Sequence, residues 1–435
     1  MVFLKQVPGF VLVLLLVMVC GSLTFAEEST AISNQKVEVL NHRVLELEQK
    51  ITQMEGRVSP VSGKEKTTRI LPADQPVSGG LIHALQDIHM GGYIDVEYNQ
   101  NLTAETANAG GNPLRSFDAN QNTFSLNAAE LDFQKIPNPE GGVGFRTDIA
   151  MGENNQAVDA ITIGTDGDEF GLQEMYAELV SPLPFLTGND IFSDTINFKV
   201  GRFATLAGAE VFEPLNNWNI SRSFLFGLAE PASHTGIRSQ YRFFKDKATA
   251  YFGLNNGWDN VIDNNMSKTL ETGLNLTVKK FSETSVIYFG PETAEAGGHK
   301  RFLLSNILSW QATDKLQFLG CIDFGNERRV PGLGGHAFKN AQWHGYAGYV
   351  RYQFVPKWAT AYRTEFFRDV NSYRTGLSNA AVQSLWEQTL TLEYQINDNM
   401  VGRFEYRFDK SNDNAVFNGE RNQSTLGSQL IYNFA

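Results

Sequence analysis

The run "VGRFEYRFDK" at 401–410 sets Arg403, Glu405, Arg407 and Asp409 at alternate positions, with Phe404, Tyr406 and Phe408 between them. Alternate residues of a strand point to opposite faces, so one face here is charged and the other aromatic. The pattern recurs. "GFRTDIAM" sets Phe145, Thr147 and Ile149 against Arg146 and Asp148, and "GIRSQYRF" sets Ile237, Tyr241 and Phe243 against Arg238, Gln240 and Arg242. "VRYQF" and "TLTLEYQI" follow the same rule, with Arg351, Gln353, Thr391, Glu393 and Gln395 on the polar side. From residue 90 the chain reads as about 16 such segments, each near the ~10 residues of a tilted membrane strand.

The connections discriminate further. Tight ones ("PNPEGG" at 137, "KDK" at 245, "FSE" at 281, "TDK" at 313, "PK" at 356, "ND" at 397) alternate with long polar ones at 103–122, 154–169, 208–233, 256–268, 291–300, 326–340, 370–384 and 410–423. Outer-membrane barrels alternate in this way, and a closed barrel is the one sheet that leaves no unpaired edge in lipid. The expectation is all-β: a transmembrane antiparallel β-barrel of about 16 strands over residues 87–435. Its aromatic face would meet lipid and its charged face a water-filled lumen. "SPLPFLTGNDIFSDT" at 181 is long where a turn is due, which leaves two strands open in the count. The chain ends on "SQLIYNFA", another alternating strand with Tyr432 and Phe434 outward.

Ahead of the strands the pattern changes. Lys5, an apolar run from Phe10 to Cys20, and Thr24-Phe25-Ala26 before two acids predict a signal peptide over 1–26. Lipid attachment at Cys20 is the rival, opposed by the bulky Val19 before it. Val37, Leu40, Val44, Leu47, Ile51, Met54 and Val58 alternate spacings of three and four, which predicts a short α-helical coiled coil within 32–58. A single amphipathic helix is the alternative. Residues 59–86, with Pro60, Pro72, Pro76 and Gly79-Gly80, read as a linker.

Composition narrows the function. The 435-residue chain carries 36 Lys and Arg against 48 Asp and Glu, a net charge of −12, which opposes a nucleic-acid partner. After residue 26 no run of about 18 apolar residues occurs, so no transmembrane helix is expected. If Cys20 leaves with the signal, Cys321 has no partner for an internal disulfide. "TDGDE" at 165 and "DNVIDNN" at 259 offer oxygen ligands for calcium without completing a known loop pattern. The seven His lack metal-ligand spacing, so neither cofactor nor metal is expected.

The stretch 199–243 combines a Gly-Arg-Phe strand end, Gly-x-Glu, an Asn-rich segment with Ser-x-Ser, and Pro before His-Thr-Gly. It resembles the OmpL-like beta-barrel porins of the porin-2 family. The resemblance implies an outer-membrane channel of a Gram-negative-type bacterium, with passive diffusion of small hydrophilic solutes or ions, the coiled coil in the periplasm, and a homotrimer. It also implies that the third long loop folds into the barrel, so that Glu210, Glu213 and Arg222 form a constriction. On strand parity the pore lining would include Arg146, Asp148, Arg238, Arg242, Arg363, Glu365, Arg403, Glu405 and Arg407. Inward acids outnumber inward bases on that parity, so a mild cation preference is expected, though opposite charges could simply pair. Two other readings remain: a barrel sleeve holding a partner such as a multihaem cytochrome, and an outer-membrane enzyme. No CxxCH occurs in the chain, so any haem would be the partner's.

Overall fold

A computed structural model describes residues 87–103, 111–155, 170–186, 191–294, 298–330, 339–377, 383–413 and 416–434. The expected signal peptide, coiled coil and linker lie outside the described residues, as does "TDGDE" at 165.

The alternating segments form sixteen strands. They are β1 (His89–Asn101), β2 (Thr123–Lys135), β3 (Gly142–Met151), β4 (Phe170–Pro182), β5 (Phe192–Ala204), β6 (Ser233–Phe243), β7 (Ala248–Asn255) and β8 (Thr269–Val278). The second half comprises β9 (Phe281–Pro291), β10 (Lys300–Gln311), β11 (Leu316–Val330), β12 (Lys339–Val355), β13 (Trp358–Asp369), β14 (Gln383–Asn397), β15 (Met400–Ser411) and β16 (Asn422–Phe434). Each pairs antiparallel with its sequence neighbours, and β1 closes on β16 from Gly92↔Phe434 to Asn101↔Thr425. Closure satisfies every strand edge, which hydrocarbon demands because an unpaired backbone group there costs several kcal/mol. The long connection at 181 holds a short 3₁₀ turn, Pro184–Leu186, and among its described residues no extra strand.

The opening stretch shows the two faces. Phe404 and Tyr406 are 38% and 44% exposed on the outside, whereas Arg403, Glu405, Arg407 and Asp409 are buried within. Phe124, Val143, Val200, Phe252, Leu390 and Leu426 continue the apolar outer belt.

The inside is less uniform than parity implies. Leu303 on β10, Trp343 and Tyr349 on β12, Phe367 on β13 and Leu385 on β14 also point inward and are buried. An aqueous lumen would leave them wet. What covers them is the segment between β5 and β6.

Candidate functional site

Residues 205–232 leave the wall at β5 and turn into the barrel before rejoining it at β6, where Thr205 N donates to Ala232 O (3.1 Å). We call this segment the strap. Its apolar turn is why it lies inside. Phe224, Leu225 and Ala229 pack with Leu303, Trp343, Phe367 and Leu385 in one cluster, removing their surface from water. Gly345 on β12 makes the fit possible, since a Cβ there would stand 2.6 Å from Leu225 Cδ2. Trp343 Nε1 donates to Ala229 O (2.8 Å), so the buried indole keeps a partner.

Wall carboxylates hold the rest of the strap by its backbone. Glu405 on β15 accepts from Ile220 N (2.6 Å) and Ser221 N (3.0 Å), and Glu365 on β13 accepts from Phe224 N (2.7 Å) and Leu225 N (2.5 Å). Such charge-assisted bonds are stronger than neutral ones. Arg403 donates to Pro214 O (2.8 Å), and Arg407 to Arg222 O. Arg363 reaches Glu210 (2.6 Å) from the wall and is also bound by Glu387 (2.9 Å).

The residues expected at the constriction therefore separate. Arg222 is buried and faces the strap itself, donating to Val211 O (3.0 Å), Ile220 O (2.9 Å) and Phe212 O (2.8 Å). Glu210 is buried against Arg363; burial alone would raise its pKa, but Arg363, Arg222 and the Ser223 amide hold it below the usual carboxylate range. Arg363, Glu365, Arg403, Glu405 and Arg407 face inward, yet lie beneath the strap instead of along an open passage. Arg238 is taken up by Glu271 (2.5 and 2.8 Å) and stacks over Phe203. Arg242 is exposed at the turn end, 3.6 Å from Asp246.

Charge stays wet on the opposite side. Glu213 of the strap stands 3.7 Å from Arg146 on β3, which also binds Asp148 (2.8 Å) and Glu174 (3.2 Å). The Arg146 and Glu213 side chains are 25% and 24% exposed, unlike the fully buried Arg363. Glu130, bonded by Tyr93 OH (3.1 Å), adds a further acid. Three carboxylates thus meet one guanidinium; Asp148, like Glu130, is buried, while Glu174 and Glu213 keep contact with water. Below them a recess of ≈ 360 Å³ opens, lined by Tyr176, Glu178, Asn197, Lys199, Gln240 and Arg242 among others.

Parity could not find the first long connection's part. Phe117 joins Phe212 and Phe226 of the strap, with Arg222 over its ring, while Arg115 pairs with Asp409 (2.8 Å). The calcium candidate at 259 is used otherwise: Asp259 accepts from Ala232 N (2.9 Å) and Ser233 N (2.7 Å), and Asp263 pairs with Lys268.

A family model described as "Putative beta-barrel porin-2, OmpL-like" matches residues 87–434. No curated protein matches the chain. Among solved structures, the outer membrane channel DcaP of Acinetobacter baumannii aligns at TM-score 0.55 and 10% identity, over 80% of this chain and 97% of that one. The anion-selective porin of Comamonas acidovorans aligns at 0.51 and 9%, over 80% and 99%. The trimer form of OmpT of Vibrio cholerae aligns at 0.50 and 10%, over 80% and 98%. At such identities these likenesses speak to fold.

Proposed function

The chain belongs to the putative beta-barrel porin-2, OmpL-like family and is an outer-membrane porin, and on that premise we propose that solutes pass between the strap and the β2–β4 wall. The observation that carries this is the asymmetry of exposure. Charges facing β13–β15 are buried under the strap, whereas Glu213, Arg146 and Glu174 keep contact with water. In this reading Glu213 is the strap's contribution to the constriction, and Glu210 and Arg222 hold the strap in shape. Small hydrophilic solutes and ions cross passively. Glu174 and Glu213, the acids that meet water there, outnumber Arg146 and favour cations, because rings of charge set pore selectivity.

The sleeve reading is disfavoured by the strap, which occupies the lumen that a protein partner would need. A homotrimer is supported by the like fold of the OmpT trimer and by the preference of like subunits for closed symmetry. The heptads at 37–58 would then bundle in the periplasm.

The test is a planar bilayer with the purified protein under a salt gradient. Steady ohmic conductance with a reversal potential on the cation side is expected. Silence without an added partner would overturn the channel, and anion preference would overturn the constriction.

A further inference from the structure

Three metal-ligating side chains meet at the far limb of the strap, and the passage does not use them. Glu230 approaches Cys321 and Asp323, which stand two apart on the inward face of β11; one ligand atom from each lies within 4.8 Å of the others. Glu230, Cys321 and Asp323 are 5%, 2% and 0% exposed. The backbone is shaped around them. Gly208, at φ +84°, lies so close over the Glu230 carboxylate that a Cβ would overlap it.

What this cluster lacks is positive charge. Every other acid on the strap has a counterpart: Glu210 has Arg363, and Glu213 has Arg146. Glu365 and Glu405 accept strap amides. Glu230 Oε2 is buried and unpartnered, on one of the three side chains of the cluster. Asp323 meets the Cys321 thiol at 3.7 and 3.8 Å, and Cys321 has Ser305 Oγ at 3.9 Å. Two carboxylates held together out of water need a cation or a shared proton.

We propose that Glu230, Cys321 and Asp323 form a site for a zinc-class divalent cation, which ties the end of the strap to β11. One sulfur and two carboxylate oxygens suit zinc, cobalt or cadmium; calcium and magnesium take all-oxygen sets with more ligands. Water or the Ser305 hydroxyl completes four-coordination. Binding deprotonates the Cys321 thiol and releases its proton to solvent.

Cobalt(II) is the probe. Full-length protein is unfolded, stripped of metal, and refolded in detergent with Co²⁺, so that burial does not bar entry. One equivalent should give a thiolate-to-cobalt band in the near ultraviolet and the visible bands of a four-coordinate ion, both erased by Zn²⁺. Cys321→Ser should lose the near-ultraviolet band, and Glu230→Gln should weaken binding at least about tenfold. The proposal is overturned if refolded wild-type protein shows no band, or if the band survives in Cys321→Ser. It is also overturned if Glu230→Gln binds Co²⁺ as tightly as wild type, the outcome expected of a shared proton. Conductance of the metal-free protein, measured separately, bears on the channel and leaves this outcome distinct.

Discussion

Arg222 shows how much one residue of the strap carries. Its guanidinium joins three backbone carbonyls from both limbs, and of these Val211 O keeps Asn217 Nδ2 (2.8 Å) as a donor once the side chain is removed. Arg222→Ala should cost about 3 kcal/mol in local stability through unsatisfied buried acceptors. Single-channel records should then show a folded pore with added flicker. Arg222→Lys should recover little, because a point ammonium cannot match a planar fork. Glu213 and Arg146 belong to the passage instead, and their effects should have opposite sign. Glu213→Gln removes an acid and should move the reversal potential toward anions; Arg146→Gln removes the base and should move it toward cations. If both shifted it the same way, neither would act through its charge.

At the scale of elements, replacing residues 208–230 with a short Gly-Ser link should leave a folded barrel whose conductance rises several-fold and whose cation preference falls. Unchanged conductance would mean that the strap does not narrow the passage. The strands were legible because β15 and its kind alternate strictly, and period-two pattern is what a two-faced sheet requires. That the third long loop turns inward was an expectation from the sequence; the wall residues that hold it there were not legible. Parity places Arg363 and Arg407 inside but cannot say whether water or backbone meets them. That is decided by contacts between distant parts of the chain, such as Glu405 with Ile220. For the same reason Leu303 and Phe367 were not anticipated inside: an inward apolar residue makes sense only once its cover is known. Glu230 and Cys321 carry no local spacing, so their meeting was invisible too.

For the whole molecule, an even strand number places both ends of the barrel on one side. A tag inserted at Asn418, in the tight Phe417–Glu420 bridge between β15 and β16, should react with antibody on intact cells. A tag after Ala435 should not. Surface labelling of the C-terminus would invert the orientation. The anchoring of the strap bears on something else, the order of assembly. Neighbouring strands can pair as short hairpins, but Glu365 lies 141 residues beyond the amide it binds and Glu405 lies 185 beyond. Contacts that close such long loops form late. The wall therefore has to be nearly complete before the strap finds its carboxylates, and the nascent pore passes through a wide, unguarded stage. During refolding, far-ultraviolet dichroism should reach its final value before Trp343, which bonds the strap at Ala229, attains its final fluorescence. Removing both carboxylates with Glu365→Gln and Glu405→Gln should prolong that interval, leaving a leaky channel while the sheet forms at its ordinary rate.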